Sequence, residues 1–336
     1  MAAMTEVLYL SSEEIAGLAN PAEYVAAVDA GYADHGNNGS AAPRTTLANA
    51  DPPGICTGDL ALLPDVGAMG GYLYAAGFEG ADAHFTLPLF DARSGDLIGL
   101  LDGASMNPYK TGAAGAVAVD HLAREDAATC AVIGSGAQAR GQLRATATVR
   151  TFQQVRVYSP TAEHRQAFAD EFNDRLDASV VAVNSAADAV ADADVIITAT
   201  TADSPVFDSD NLRDGAHISA IGQYDPEKAE LDTDTIARSV YVPDLRDRVQ
   251  QDAGSFLTAR KKGVVDFDHI HAELGEVVAG KKPGRTDTTD ITVFDSGGTG
   301  IETVAAAKML YDKANEAGIG QCIDVSPASV ALTGSD

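Results

Sequence analysis

The residues best suited to chemistry lie in one short segment, residues 130–139, which reads Cys-Ala-Val-Ile-Gly-Ser-Gly-Ala-Gln-Ala. We expect a buried strand to end at the two glycines and to pass into a helix. Gly134 permits a tight turn, Gly136 lets the backbone approach a pyrophosphate, and Ala139 lets the helix pack close to the strand. The free N–H groups at the start of such a helix favour phosphate. The segment therefore predicts a dinucleotide site formed by Gly134, Ser135, Gly136, Ala137 and Gln138.

A second feature concerns which dinucleotide would bind. An acidic residue about 20 positions beyond the glycines would bind the ribose hydroxyls of NAD. This chain has Tyr-Ser-Pro-Thr at residues 158–161 instead. Ser159 and Thr161 could bind a 2′-phosphate, and Arg165 lies nearby, so the sequence favours NADP but leaves NAD open. Thr200 and Gly222, which end two further predicted strands, are also predicted to contact the cofactor.

Arg44 is the first candidate for holding a substrate. It follows Pro43 in a polar stretch of the chain. The planar guanidinium group can bind both oxygens of a carboxylate at once. We therefore predict that Arg44 binds a substrate carboxylate.

The elements that position these residues alternate between strand and helix after the glycine turn. Strands are predicted at residues 155–159, 179–183, 195–200, 217–222 and 240–242, with helices at 139–149, 161–176 and 185–193. Alternation of apolar strands with helices indicates a parallel sheet covered on both faces, so the fold class is α/β with a Rossmann-type doubly wound sheet.

The segment before residue 115 has a different pattern. Residues 72–76, 86–91 and 97–101 are predicted to be strands joined by glycine turns, which indicates an α+β domain with an antiparallel or mixed sheet. A last helix, 302–317, ends at Gly318, a residue favoured directly after a helix. We expect one domain formed by residues 1–115 and 300–336, and a dinucleotide-binding domain formed by residues 116–299.

Composition limits the class of protein and its partners. The 336 residues include 49 acidic and 23 basic side chains, a formal net charge of −26. A dispersed acidic surface is typical of proteins adapted to high salt, so we expect a salt-loving source such as a haloarchaeon, with an unusually acidic mesophilic protein as the alternative. The same charge repels nucleic acid. Because the sequence shows neither a signal peptide nor an apolar run of membrane-spanning length, we expect a cytoplasmic protein that does not bind membranes.

Two other clusters have simpler interpretations. The cysteines are Cys56, Cys130 and Cys322, a scattered odd number that does not suggest a disulfide framework. His269 and His271 lie two residues apart in an acidic segment, a spacing that suits neither a helical metal-binding pair nor a zinc finger. We therefore expect no bound metal.

An ordered series of short motifs runs along most of the chain. The motifs are Pro43-Arg44, Gly99–Gly103, Lys110–Ala114, His121–Arg124, the glycine turn followed by Gln138, Asp214–Ile218, Lys228–Asp232, Gly275-Glu276 and Asp295–Gly300. Together they resemble the ornithine cyclodeaminase/mu-crystallin family, which includes an archaeal alanine dehydrogenase. The resemblance implies a homodimer, a nicotinamide cofactor and an α-amino or α-imino acid substrate. It also implies that the domain of residues 1–115 and 300–336 is the substrate-binding and dimerisation domain.

The resemblance also assigns site residues. It gives Arg44 a carboxylate-binding role and puts Lys110 where the family usually has a second carboxylate-binding arginine. The family's catalytic lysine falls at Tyr72, and its catalytic aspartate falls at Tyr224, with Asp225 one position away. Tyr72, Tyr224 and Asp225 are therefore the candidate catalytic residues.

These replacements narrow the expected reaction. Cyclodeamination needs a base for amine protons, whereas reduction of an imine needs only hydride and a proton. A tyrosine hydroxyl, with a reference pKa of about 10, is a poor base at neutral pH. We therefore expect an NAD(P)-dependent oxidoreductase acting on the C–N bond of an amino or imino acid. Ornithine cyclodeaminase or alanine dehydrogenase activity is one alternative, and a non-catalytic protein that binds NAD(P) and a small ligand is the other.

Overall fold

The computed structural model describes residues 5–79 and 82–326, and residues 327–336 of the predicted first domain lie outside this range. The strands are β1 (Thr5–Leu10), β2 (Ser40–Ala50), β3 (Pro53–Leu63), β4 (Ala68–Gly70), β5 (Leu73–Ala76), β6 (His84–Asp91), β7 (Leu97–Asp102), β8 (Thr129–Ile133), β9 (Gln154–Tyr158), β10 (Ser179–Ala182), β11 (Val195–Thr198), β12 (His217–Ala220), β13 (Ser239–Pro243), β14 (Ile291–Asp295) and β15 (Gln321–Val325).

The helices are α1 (Ser12–Ile15), α2 (Pro21–Asn37), α3 (Asn107–Leu122), α4 (Ala137–Thr146), α5 (Ala162–Asn173), α6 (Ala186–Val190), α7 (Thr233–Arg238), α8 (Arg246–Asp252), α9 (Gly254–Lys261), α10 (Leu274–Val278) and α11 (Gly300–Ala317). No helix within the described residues is long and apolar enough to cross a membrane.

The first sheet contains strands from both ends of the described chain. Its order is β15-β1-β7-β6-β4-β3-β2, and β5 pairs with β3 and β6. Only the β1–β7 pair is parallel, so the sheet is mixed. Its core also includes apolar side chains of α2, α3 and α11. Helix α11 therefore packs with the N-terminal segment of the chain.

The second sheet is parallel throughout, with the order β10-β9-β8-β11-β12-β14-β13. One face packs on α4 and α5, and the other on α6, α7, α8 and α9. The structure thus confirms the predicted doubly wound α/β class. The order reverses between β8 and β11, and ligands of such sheets bind at the carboxyl ends of the strands beside this reversal.

Helices α3 and α4 join the two sheets through a close crossing. A Cβ atom added at Gly112 would lie 2.3 Å from the carbonyl oxygen of Gly141, and one added at Gly141 would lie 2.2 Å from the carbonyl oxygen of Pro108. Glycine at these positions lets the two backbones touch. Helix α3 is continuous across residue 115, where the sequence suggested a domain boundary; the domain limits themselves stay a prediction.

Candidate active site

The glycine turn connects β8 to α4 at the reversal of strand order. Gly134 has a φ of +120°, and its N–H donates to the carbonyl of Tyr158 at 2.8 Å. A Cβ atom at Gly134 would lie 2.3 Å from the carbonyl oxygen of Ala199, so only glycine fits. Gly136 caps the start of α4, and a Cβ atom added there would meet no heavy atom of the described residues within 4 Å. The helix start is therefore open to a phosphate group.

Two side chains of this turn support a bound cofactor. The Ser135 hydroxyl donates to the Ser159 hydroxyl at 3.0 Å, which ties the turn to the end of β9. The side-chain oxygen of Gln138 is buried and has no hydrogen-bond partner among the described residues. Buried acceptors are rarely left unpaired, so this oxygen is suited to accept a hydrogen bond from a ligand. The residues present therefore fit a dinucleotide.

The end of β9 carries the residues that would contact the ribose. Ser159 is buried, and Thr161 is the residue that precedes α5. Arg165 donates to the carbonyl oxygens of Ser159 and Pro160 at 3.0 and 3.3 Å, and to the side chain of Asn184 at 3.1 Å. Arg165 thus braces the turn that includes Ser159 and Thr161.

Thr200 and Gly222 lie beyond the carboxyl ends of β11 and β12, and the backbone N–H groups of both donate to the buried carboxylate of Glu230. Glu230 accepts the N–H of Thr200 at 2.7 Å, the N–H of Gly222 at 2.9 Å and the hydroxyl of Thr198 at 2.8 Å. Burial raises the pKa of Glu230, and these hydrogen bonds oppose the rise. The sequence analysis did not identify Glu230 as a site residue, although it lies within one of the motifs.

Arg44 enters the same region from the first sheet. The register of β2 against β3 shifts between Ala42 and Thr45, and such a bulge re-aims the side chain it contains. One terminal nitrogen of Arg44 donates to the carbonyl oxygens of Gly297 and Gly298, the latter at 3.2 Å. The Nε atom of Arg44 is buried and has no partner among the described residues. Arg44 therefore keeps a donor free for a ligand.

Lys110 also lies close to Gly298, one of the two glycines that Arg44 binds. It lies in the first turn of α3 with 3% of its surface exposed, and its Nζ atom is 3.4 Å from Oε1 of Glu302. A Cβ atom at Gly298 would be 3.4 Å from a terminal nitrogen of Arg44 and 3.8 Å from Nζ of Lys110. Gly298 has a φ of +83°, which favours glycine. The two predicted carboxylate-binding cations are thus neighbours.

Two buried carboxyl groups accompany these cations, and neither was predicted. Glu302 in the first turn of α11 forms a capping box with Thr299, accepting its N–H at 2.7 Å and its hydroxyl at 2.5 Å. Asp59 on β3 accepts the N–H of Tyr72 at 3.1 Å. Burial raises the pKa of Asp59, and the Lys110 ammonium offsets part of that rise. The spacing Thr-x-x-Glu before an apolar run could have revealed Glu302.

The three candidate catalytic residues have different environments. The ring of Tyr72 is buried, and its hydroxyl donates to the carbonyl of Gly103 at 2.8 Å. Burial raises the pKa of Tyr72 well above its usual value. The ring of Tyr224 is half exposed and lies 5.2 Å from the Arg44 guanidinium. Asp225 accepts the N–H of Glu227 at 3.0 Å and caps its own turn. Tyr72 and Tyr224 therefore adjoin the cations, whereas Asp225 stabilises the adjacent loop.

A buried ion network positions the loop that Arg44 binds. Arg248, of which 1% is exposed, pairs with the carboxylates of Asp244, Asp252 and Asp295. Asp244 in turn accepts the hydroxyl of Ser296 at 2.8 Å and the N–H of Gly297 at 3.1 Å. Burial raises the pKa of Asp295, and Arg248 opposes this rise. The network was not predicted because its members are far apart in sequence.

Four groups of residues follow the carboxyl ends of strands in the parallel sheet: the glycine turn, Thr200, Gly222 and the Gly297-Gly298 loop. Arg44 of β2 and Lys110 of α3 approach the same edge of the sheet. Such a cleft suits a dinucleotide beside a small carboxylate.

The model of the ornithine cyclodeaminase/mu-crystallin family matches residues 78–318. The chain belongs to this family. The family prediction is thereby confirmed.

Individual relatives agree with this assignment. A Δ1-pyrroline-2-carboxylate reductase of Bacillus cereus is 36% identical over 237 residues, which cover 70% of this chain and 73% of that protein. The structure of Thermococcus litoralis Δ1-pyrroline-2-carboxylate reductase in complex with NADH and L-proline has a TM-score of 0.88 and 32% identity, covering 94% of this chain and 100% of that one. An archaeal alanine dehydrogenase dimer with bound NAD also has a TM-score of 0.88, with 28% identity and coverage of 95% and 99%.

These relatives confirm the predicted class of activity. The chain is an enzyme, an NAD(P)-dependent oxidoreductase that acts on the C–N bond of an amino or imino acid. The particular substrate within this class is a separate question.

Proposed function

We propose that this enzyme reduces a cyclic α-imino acid, with Δ1-pyrroline-2-carboxylate as the first candidate, to the corresponding amino acid. One observation carries the proposal: the buried Nε of Arg44, which has no partner among the described residues, lies in a cluster with Lys110 at the carboxyl edge of the nucleotide-binding sheet. A guanidinium with a free donor in such a place is suited to a substrate carboxylate. Relatives that reduce Δ1-pyrroline-2-carboxylate support this choice of substrate.

Each group of residues has a role in the proposal. The start of α4, with Ser135, Gly136, Ala137 and Gln138, holds the pyrophosphate of the cofactor. Arg44 binds the substrate carboxylate, and Tyr224 covers Arg44 from the solvent side. A bound reduced nicotinamide would supply the hydride. The protein then has to orient the imine and exclude water.

Reduction is favoured over cyclodeamination by the state of Tyr72 and Asp225. The Tyr72 hydroxyl is buried and already donates to Gly103, and the Asp225 carboxylate is occupied by its own turn. Neither is a free base for the protons of an amine. A non-catalytic binding protein is disfavoured because the relatives named above are reductases or dehydrogenases.

The cofactor preferred in this proposal is NADPH, with NADH as the alternative. Residues 158–161 lack the carboxylate that would bind a ribose 2′-hydroxyl, and the Arg165 guanidinium lies beside Ser159. Similar structures contain NADH or NAD, which keeps the alternative open. The ratio of kcat/KM with NADPH to kcat/KM with NADH tests this part; a ratio below one would contradict it.

The proposal also includes a homodimer formed through the first domain. Leu47, Leu60 and Leu73 are 70%, 62% and 57% exposed on β2, β3 and β5, at one edge of the mixed sheet. Large apolar side chains grouped at an edge are typical of an interface. Light scattering should give the mass of two chains, and Leu60→Asp should lower it to that of one. A wild-type chain that stays monomeric would contradict the dimer.

The net charge of −26 supports a salt-rich cytoplasm, such as that of a haloarchaeon, as the working environment. Activity should therefore be assayed in concentrated KCl. The test of function follows oxidation of NADPH and NADH with pyrroline-2-carboxylate, piperideine-2-carboxylate, and pyruvate plus ammonia. Ornithine is incubated separately with the oxidised cofactors and assayed for proline and ammonia, because cyclodeamination causes no net change in the cofactor. The cyclic imino acids should be the best substrates, and Arg44→Ala should abolish their turnover. Efficient conversion of ornithine to proline would contradict the proposal.

A further inference from the structure

The Lys110 ammonium is confined among groups that hold it in the substrate cluster. Its Nζ atom lies 5.4 Å from the centroid of the Tyr72 ring and 3.4 Å from Oε1 of Glu302. Asp59, also buried, accepts the backbone N–H of Tyr72, and the Lys110 ammonium offsets part of the rise that burial causes in the pKa of Asp59. An aromatic face and two buried carboxyl groups therefore surround one end of a side chain of which only 3% is exposed.

Reduction of an imine requires a proton on nitrogen as well as hydride on carbon, and most groups of the cluster cannot supply that proton. Arg44 stays protonated at any working pH. The Tyr72 hydroxyl donates to Gly103, and burial raises the pKa of Tyr72 well above its usual value. Asp225 accepts the N–H of Glu227, and the Tyr224 side chain beside Arg44 is half exposed, whereas Lys110 is buried. Lys110 carries N–H protons and shares the neighbourhood of Arg44.

We infer that Lys110 is the catalytic proton donor of this enzyme, taking over the task that the family resemblance gives to a lysine at the position of Tyr72. The inference rests on the proposed function. In an α-imino acid the carboxylate and the nitrogen are on the same carbon atom. A substrate whose carboxylate is bound by Arg44 can therefore present its nitrogen to the adjacent ammonium of Lys110.

The step balances in protons and electrons. One N–H bond of the Lys110 ammonium breaks and a new N–H bond forms on the imine nitrogen, so that Lys110 is left as a neutral amine. The imine carbon receives the hydride supplied by NADPH or NADH, which is oxidised as the substrate is reduced. A proton from water restores the Lys110 ammonium after product release.

The decisive experiment compares a substrate whose reduction needs a proton on nitrogen with a methylated substrate whose reduction needs none. Δ1-Pyrroline-2-carboxylate needs one, whereas its N-methyl iminium derivative carries a fixed charge and needs none. With Lys110→Met we expect kcat for the first substrate to fall about 10²–10⁴-fold, the size of a general-acid effect, and kcat for the second to change little. An equal fall for both substrates would mean that Lys110 only binds or stabilises, and would overturn the inference.

A second comparison covers the case in which the methylated substrate does not fit. Lys110→Arg keeps the charge but cannot release a proton, so kcat should fall while KM changes little. The double variant Tyr72→Lys/Lys110→Arg restores an amine from the other position and should recover kcat. Above neutral pH, kcat/KM of Lys110→Arg should fall with every rise in pH, whereas the wild type should hold a plateau. Full kcat in Lys110→Arg would overturn the inference.

Two controls separate folding and function from the inference. Circular dichroism and the dissociation constant of the reduced cofactor, followed by its fluorescence, should match the wild type in every variant used. If the wild type itself reduces no imino acid, the proposed function fails. If the wild type is active and Lys110→Arg is equally active, only the role of Lys110 fails.

Discussion

Oε1 of Glu230 lies 2.7 Å from the backbone nitrogen of Thr200, and the same carboxylate binds the N–H of Gly222. Glu230 therefore fixes the ends of two neighbouring strands at the edge where the cofactor is expected. A Cβ atom at Gly222 would lie 2.4 Å from both Oε1 of Glu230 and the nitrogen of Thr200, so the three residues are in contact.

Glu230→Gln should weaken both stability and cofactor binding. A glutamine has one acceptor oxygen, so its NH₂ group would face a backbone N–H, and we expect a loss of about 1–3 kcal/mol in the free energy of unfolding. The KM for the cofactor should rise, while cofactor-independent properties such as secondary structure stay the same. Glu227→Gln, in the same loop but with an exposed side chain, is the matched control. Equal behaviour of the two variants in urea titrations and kinetics would refute this role.

Arg44→Lys should separate charge from geometry in substrate binding. Lysine keeps the positive charge but cannot both hold the carbonyl oxygens of Gly297 and Gly298 and offer a second donor. We expect kcat/KM for the imino acid to fall about 100-fold, or about 3 kcal/mol, with unchanged affinity for the cofactor. Arg93→Ala, at an exposed turn, should change neither. Retention of the wild-type KM by Arg44→Lys would argue against carboxylate binding at this residue.

Gly141→Ala tests the crossing of α3 and α4. The added Cβ atom would lie 2.2 Å from the carbonyl oxygen of Pro108, and a backbone atom cannot move away without displacing the start of α3. We expect a loss of about 1–3 kcal/mol in stability and a lower kcat, because the start of α3 carries Lys110. Gly17→Ala, at an exposed site where the new atom meets no described heavy atom within 4 Å, is the control. Thermal unfolding that is the same for both variants would contradict the role of the crossing.

The burial of His217 should make the free energy of unfolding depend on pH. It is buried in β12, within 2.9 Å of the Thr292 hydroxyl and 3.1 Å of the Ser219 hydroxyl, and burial, followed by Arg285 and Arg150, lowers its pKa to about 3. At pH values below about 6.5, the pKa of this histidine in the unfolded state, the unfolded chain binds a proton at His217 and the folded chain does not. The contribution of neutral, buried His217 to the free energy of unfolding is therefore fully present above the unfolded-state pKa. It is lost progressively as the pH falls from there toward the pKa of His217 in the folded state.

The measurement is the free energy of unfolding of wild type and His217→Gln across this range. Between about pH 7.5 and about pH 5, His217 should account for a fall of about 2 kcal/mol that the variant lacks. Buried carboxyl groups with raised pKa, such as Asp59, act in the opposite direction, but they are common to both proteins and cancel in the difference. His164→Gln, at an exposed position, should behave like the wild type. Parallel curves for wild type and His217→Gln would contradict the prediction.

Sequence patterns predicted the parallel sheet well because its strands are short apolar runs bounded by glycine and polar residues. Each of the predicted strands from 155 to 242 has a counterpart within a few residues. Strand β14 was missed, and so was β2, in which apolar and polar residues do not alternate and most side chains are exposed. Helix α2 was missed as well, although Asn20 and Glu23 form a capping box that the sequence displays.

Candidate site residues could be named from the sequence only where they lie in a short motif. Arg44, Lys110 and the glycine turn lie in recognisable short motifs, and the structure brings the first two together. Asp59 and Arg248 became visible only in the fold, because their importance comes from burial and from partners distant in sequence. A pattern of residues can indicate a donor or an acceptor, but it does not reveal which buried charge will lie beside it.

The most direct test of the proposed reaction follows the hydride itself. The enzyme would be incubated with Δ1-pyrroline-2-carboxylate and NADPH or NADH carrying deuterium on either face of C4, and the product analysed by mass spectrometry. We predict that one cofactor face delivers a single deuterium to the α-carbon of proline, and that Arg44→Ala forms no labelled proline. Cofactor oxidation without deuterium in the amino acid, or no oxidation at all in concentrated KCl, would contradict the proposed reduction of an imino acid.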